Sequence, residues 1–353
     1  MTAFRLLDWM RPPELVPTSV PEPGPGEVRV RVAGCGLCHS DLTITTIPPE
    51  VGAGLGWKVP FTLGHETAGW VDAWGAGVEG LVEGEPVVIA SPSSCGHCAR
   101  CRRGLESACR LGGSGRGYGL DGGLAEFVLV TDPGRSLLSL PTVLDPRRAG
   151  PLSDAAATAH HAVARAIRRV RSDGATVVIG VGGLGSFGVQ LARALTAGPV
   201  VAVDPSLQRR SVAVSLGAHV AVDGVGAETA EALRGELGGV QVDAVVDFVG
   251  TDETISFALE VVEPGGSVAV VGAGGGRVRQ PVLGGIPADV EVWSFQGSDL
   301  ADLRAVLELA ARGEVRIDVD GYPLSRVAEA YEALASARLR GRAVITPDAL
   351  RGD

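Results

Sequence analysis

The chain has 353 residues, a net charge of -10 and no block of basic side chains, so neither a nucleic-acid nor an anionic-membrane partner is expected. Its length suits about two domains, each able to bury its own core. Lysine occurs once, as Lys58, which removes most lysine chemistry, including a Tyr-x-x-x-Lys pair and Schiff-base catalysis. The opening residues MTAFRLLDWM are too polar for a signal peptide, and no apolar run reaches membrane-spanning length. A soluble, cytoplasmic protein is expected.

The first 150 residues or so carry Gly and Pro punctuation about every ten positions, as an all-β body does. Pro21 to Gly26 is a turn-rich entry, and Glu27 to Val32 alternates with period two, which predicts a half-buried strand. Two short segments then bring metal-ligand chemistry: Gly36-Leu37-Cys38-His39-Ser40-Asp41 and Gly64-His65-Glu66. A thiolate, an imidazole and a carboxylate from distant segments suit a catalytic zinc with one position left open. Asp154 is the candidate third ligand beside Cys38 and His65; its competing role is that of a helix N-cap. Cys35 reads as a small core residue, and His160, His161 and His219 as packing or surface residues.

Four of the six cysteines, Cys95, Cys98, Cys101 and Cys109, fall within fifteen residues. The two-residue gaps turn successive sulfurs onto one centre and the longer gap closes the fourth corner. Four thiolates leave no open position, so the metal would be a structural zinc. A pair of disulfides is the alternative, and nothing else marks the chain as secreted.

Near Pro151 the pattern changes. Ser153 or Asp154 is placed to cap an Ala-rich helix over 155–169. Apolar strands then alternate with helices: Thr176 to Ile179, Val200 to Val203, Val242 to Phe248 and Ser267 to Val271. This implies a parallel sheet covered on both faces. Gly180-Val181-Gly182-Gly183-Leu184-Gly185 follows the first of these strands and opens a helix, the context that makes Gly-x-Gly-x-x-Gly a dinucleotide turn. Asp204 ends the next strand. A carboxylate there accepts from the adenosine ribose hydroxyls and repels a 2′-phosphate, which favours NAD; Arg209 and Arg210 are the residues that would instead pair with a phosphate. Beyond them lie a strand over 290–295, helices over 301–312 and 324–337, and a last strand at Ala343 to Ile345. The 290–295 strand sits where the parallel sheet ends, so its open edge predicts pairing with a second copy of the chain.

Taken together, the Cys38 and His65 segments, the cysteine knot, Leu120-Asp121-Gly122-Gly123-Leu124-Ala125-Glu126 and the dinucleotide turn resemble the zinc-dependent medium-chain alcohol dehydrogenases, over nearly the whole length. The pattern is most similar to bacterial NAD-dependent secondary alcohol dehydrogenases and carbonyl reductases. The resemblance implies an α/β protein with a GroES-like β domain at 1–153, completed by 290–353, and a Rossmann doubly wound parallel sheet at 154–289. It implies two zinc ions per chain and NAD, with Cys38, His65 and Asp154 on the catalytic zinc, which polarises the alcohol oxygen. Glu66 becomes a transient or supporting ligand and Ser40 the first proton-relay hydroxyl. His39 and Arg342 become pyrophosphate contacts, and Phe248 and Val271 further coenzyme contacts. Reversible hydride transfer between NAD(H) and a secondary alcohol or ketone follows, in a homodimer or homotetramer. Two departures stand out. Thr43 occupies the position where many relatives place a relay histidine, and the 45–58 segment, with Trp57, is individual; Trp57 and Phe295 are candidate pocket walls or ordinary core. The alternatives are a polyol dehydrogenase, against which the cysteine knot weighs, and a non-catalytic zinc- and dinucleotide-binding protein.

Overall fold

The computed structural model describes residues 1–349 except Pro92 and Gly113. The chain divides into two compact units, Met1–Ala157 with Gly297–Asp353, and Thr158–Gln296. The return to the first unit therefore falls after Gln296 rather than at 290, because strand Glu291–Ser294 pairs in parallel with Ser267–Val270 and belongs to the second unit's sheet. Among the described residues no helix is long and apolar enough to cross a membrane.

The first unit is built on a seven-stranded sheet centred on Val28–Gly36. Val28, Val30 and Val32 are fully buried while Arg29 and Arg31 between them reach solvent, so period-two alternation fixes which face is core. This strand runs antiparallel to Glu66–Trp74 with Gly36 opposite Glu66, and antiparallel to Arg342–Thr346 with Gly36 opposite Val344. These two registers decide the chemistry. They bring the residue just past one strand's end, Cys38, beside the residue just before the next strand, His65, and beside the first residue of the last strand, Arg342. Gly36 is a glycine for a local reason, since a Cβ there would meet Glu66 Oε2 at 2.0 Å. The 45–58 segment folds into a short helix, Pro49–Gly54.

The second unit is a six-stranded parallel sheet in the spatial order Val220–Val222, Val200–Val203, Ala175–Ile179, Val242–Asp247, Ser267–Val270, Glu291–Ser294. In sequence order that is 3-2-1-4-5-6, the doubly wound arrangement, whose crevice lies beyond the strand ends where the order reverses. The central strands are buried throughout, which is why they read as continuous apolar runs. The expected long helix is Ala155–Ala166, tightening into a 3₁₀ turn at Ile167–Arg169.

Candidate metal and dinucleotide sites

The cysteine loop gathers Cys95, Cys98, Cys101 and Cys109 so that their sulfurs lie within 4.8 Å of one another. The contacts from Cys101 Sγ are 3.9 Å to Cys95 Sγ and 3.5 Å to Cys98 Sγ. A disulfide requires about 2.05 Å, whereas four sulfurs at about 2.3 Å from a tetrahedral zinc stand about 3.8 Å apart. The spacing therefore fits zinc and excludes the disulfide alternative. Backbone N–H groups of Cys95, Cys98, Cys101 and Leu111 point at sulfurs at 3.3–3.5 Å. Such donors favour thiolate, and the backbone N–H groups of Cys101, foremost, and Arg110 draw the Cys98 thiol down to about 6. His97 is turned away, with Nδ1 on the Cys95 carbonyl at 2.7 Å.

The second cluster is Cys38, His65, Glu66 and Asp154, again with ligand atoms within 4.8 Å of each other. His65 is fully buried at its side chain; Nε2 lies 3.5 Å from Asp154 Oδ2 and Nδ1 lies 3.4 Å from Asp41 Oδ1. Neither ring nitrogen makes a hydrogen bond of good geometry, and neither does Asp41 Oδ1. A buried imidazole left in that state is costly. A cation taken by Nε2, with Nδ1–H given to Asp41, resolves both, and a carboxylate behind a ligand histidine is the usual supporting arrangement. Burial alone would raise the Cys38 thiol, but the Arg342 guanidinium and His65 outweigh it and hold it below its ordinary range. The donor set thus fits zinc, with one thiolate, one imidazole and the Asp154 carboxylate, and the Glu66 carboxylate beside them.

Around this cluster the side chains are tied down. Asp41 Oδ2 accepts the Cys38 backbone N–H at 2.7 Å, which fixes the thiol-bearing turn at the start of helix His39–Ile44. Glu66 is fully buried and gripped by Arg342, whose Nε donates to Oε2 at 3.1 Å and whose Nη2 donates to Oε1. The expected pyrophosphate contact Arg342 is therefore committed to Glu66, and it is only 4% exposed. Ser40 Oγ stands 2.9 Å from Tyr118 Oη, and the Tyr118 ring packs on His65 with centroids 4.7 Å apart. Thr43 turns its hydroxyl back toward the His39 carbonyl at 3.4 Å.

In the second unit Gly180 has φ +82°, and a Cβ on Gly185 would lie 1.7 Å from the Gly180 carbonyl oxygen, so both positions require glycine. A Cβ on Gly182 would meet nothing within 4 Å, which leaves open backbone where a pyrophosphate would approach. Helix Gly185–Leu195 has no side-chain cap and opens directly from this turn, the arrangement that favours an anion at a helix N-terminus, although the Ser186 N–H bonds the Gly182 carbonyl at 3.0 Å. Gly183 and Leu184 complete the turn. Asp204 is 2% exposed; its carboxylate accepts Val181 N–H at 2.8 Å and Ser206 N–H at 2.9 Å. Phe248 lies against the same helix, where a Cβ on Gly188 would strike its ring at 2.5 Å, and Val271 donates its N–H to the Asp247 carbonyl at 2.8 Å.

Residues 24–142 match the alcohol dehydrogenase GroES-like domain, and residues 183–312 match the zinc-binding dehydrogenase domain. An alcohol dehydrogenase of Geobacillus stearothermophilus is 31% identical over 327 residues, which is 91% of each chain. The chain belongs to the zinc-dependent medium-chain alcohol dehydrogenases. The crystal structure of the Aeropyrum pernix alcohol dehydrogenase superposes with a TM-score of 0.88 at 31% identity, covering 98% of this chain and 100% of that one. The D-arabinose 1-dehydrogenase (NADP(+)) of Saccharolobus solfataricus is 30% identical over 354 residues, 98% of this chain and 97% of that one.

For a medium-chain dehydrogenase, two placements went unread in the sequence. Tyr118 sits in a glycine-rich turn, Gly115 to Leu120, that carries no ligand pattern. Asp41 was visible only as part of the Cys38 segment, with nothing to show that it faces His65. His219 accepts the Val200 N–H through Nδ1 at 2.9 Å, a structural role. Phe295 packs on His161 and Trp293, and Trp57 on Phe61 and Tyr118.

Proposed function

We propose that this family member is a zinc- and NAD-dependent dehydrogenase that interconverts secondary alcohols and ketones, working in the cytoplasm with two zinc ions per chain. The observation that carries the reading is the buried Cys38–His65–Asp154 constellation, three unlike ligands from three distant segments around an imidazole without a good hydrogen bond. When bound, zinc supplies Lewis-acid polarisation of the substrate oxygen, and the dinucleotide supplies a hydride acceptor. Cys38, His65 and Asp154 hold the metal, and Asp41 fixes the orientation of His65. Arg342 pairs with Glu66 beside the site and offsets part of the burial that pushes that carboxyl up. Ser40 Oγ takes the alcohol proton and exchanges it with its neighbour Tyr118 Oη or with solvent, since Thr43 supplies no imidazole.

NAD over NADP rests on Asp204 and on the state of the two arginines. Arg210 is committed to the Asp204 and Pro205 carbonyls and, at 2.6 Å, to Asp223. Arg209 stands 3.9 Å from the Asp204 carboxylate. Neither is arranged as a dedicated 2′-phosphate partner. A sugar substrate with NADP is the second reading, favoured by the Saccharolobus solfataricus relative. Zinc-loaded protein assayed with NAD and NADP against secondary alcohols, ketones and aldoses separates the two; faster turnover of an aldose with NADP would replace the first reading by the second.

Assembly through the sheet edge belongs to the same proposal. Glu291 N–H bonds inward to the Gly266 carbonyl at 3.0 Å. Alternation along a strand then turns the Val292 N–H outward, toward the open edge. Pairing of two such edges gives a homodimer, and two dimers a homotetramer. Sedimentation of the wild type as a monomer at micromolar concentration would end it.

A further inference from the structure

The first unit holds a second cleft, of about 380 Å³, whose walls include none of the residues of the Cys38–His65–Asp154 cluster. Arg116 lines it and is only 6% exposed. Its Nε donates to the Leu129 carbonyl at 3.1 Å. Among the described residues no carboxylate stands within ion-pair distance of its guanidinium, and no other hydrogen bond engages it. Asp132 acts on Arg116 from farther off and reaches toward Arg135 at 4.0 Å. Burial pushes the Arg116 guanidinium down to about 10, the direction that desolvation without a close partner produces. A largely buried guanidinium without a close carboxylate, its terminal nitrogens open to the cleft, favours a counter-charge there.

The Met1 ammonium, also on the wall, donates to the Thr18 carbonyl at 2.9 Å. Arg5 pairs with Asp121 at 3.2 Å, and the same Asp121 oxygen accepts the Thr62 N–H at 2.6 Å. Beside the Met1 ammonium, the Arg116 guanidinium remains without a close carboxylate, on a planar fork suited to two oxygens of one carboxylate. Leu120 and Phe127 give the cleft an apolar side, and Thr18 and Ser19 bring hydroxyls to it. Its volume falls within the range of small-molecule sites.

We propose that this cleft is a binding site for a small organic monocarboxylate with a short apolar body, whose carboxylate pairs with Arg116 and whose tail lies on Leu120 and Phe127. The site is separate from the proposed zinc chemistry, so its test does not depend on turnover.

Hexanoate is a suitable probe. Hydrogen exchange on the zinc-loaded wild-type protein should show slower exchange at 116–131 as hexanoate is added. Hexanol and inorganic phosphate, at the same concentrations, should leave that segment unchanged. In Arg116→Gln the hexanoate concentration needed for half-protection should rise at least tenfold, with zinc content retained. Absence of protection at 116–131 in the wild type, or equal protection by hexanol, would overturn the proposal without any variant. Equal protection by phosphate would overturn the carboxylate assignment. Undiminished protection in folded Arg116→Gln would overturn the role of Arg116.

Discussion

The cysteine loop and the Cys38–His65–Asp154 cluster assemble related ligands by opposite routes. The loop is contiguous: four sulfurs come from fifteen residues, and their own backbone N–H groups point at them. Little beyond local chain geometry is needed to gather them. The second cluster draws on positions 38, 65 and 154, and Glu66 there is held by a residue 276 positions away. Its geometry exists only once Val28–Gly36 has paired with both Glu66–Trp74 and Arg342–Thr346. A metal at the first cluster therefore contributes to folding itself, whereas the second is a product of folding and spends burial on chemistry. Substitution at the two should break different things.

The largest loss of turnover is expected from Asp154→Asn. Asparagine caps a helix as well as aspartate does, so a capping role predicts little change. As a ligand, Asp154 supplies the anionic oxygen at the cluster. Changes to residues that merely support a ligand cost about 10–100-fold, so removing a ligand should exceed roughly 100-fold. Steady-state turnover with metal analysis checks this; near-normal turnover and zinc content would remove Asp154 from the ligand set.

Cys101→Ser tests the other side of the comparison. Zinc content should fall by one ion per chain. The midpoint of thermal unfolding should drop by about 4 °C, as a loss of about 3 kcal/mol does in a protein of this size. Residual turnover per folded molecule should fall far less than in Asp154→Asn. Equal damage to turnover and stability in both variants would erase the distinction between the clusters.

Legibility in the sequence follows the same division. The knot can be read from spacing because its geometry is local, and so can the dinucleotide turn, where Gly180 needs positive φ and Gly185 needs close approach to a carbonyl. The sheets can be read because apolar alternation at Val28 to Val32 and continuous apolar runs at 176–179 and 242–246 report burial on one face or two. Partners brought in by register are another matter. Nothing near Tyr118 indicates that its hydroxyl meets Ser40, 78 residues earlier, and nothing near Arg342 indicates that it closes on Glu66 rather than standing free. Those contacts depend on which residues face each other across strands, and that is decided by the whole unit.

Asp41→Asn probes one such partner. Asp41 faces His65 Nδ1 at 3.4 Å and accepts the Cys38 N–H at 2.7 Å. Asparagine preserves an acceptor for the backbone but loses the negative charge behind the imidazole. Metal affinity should weaken by about 10–100-fold, read by competition with a chelator of known strength. The cysteine loop should keep its ion throughout the same titration. Unchanged competition would mean that Asp41 serves only the turn at Cys38.

The smallest effect is expected from Tyr118→Phe. The substitution keeps the ring that packs on His65 and removes only the hydroxyl that stands 2.9 Å from Ser40 Oγ. Zinc content and thermal stability should stay close to the wild type, because the aromatic contact survives. A single hydrogen bond is worth about 1 kcal/mol, roughly fivefold in rate, so kcat should fall by about that factor if the Tyr118 hydroxyl holds Ser40 in place for proton transfer. KM for the alcohol should move little, since the metal-ligand set is untouched. Ser40→Ala removes the hydroxyl that Tyr118 serves, so adding Tyr118→Phe to Ser40→Ala should cost nothing further. If the two losses multiply, Tyr118 acts on the reaction independently of Ser40, and the pair is not a unit.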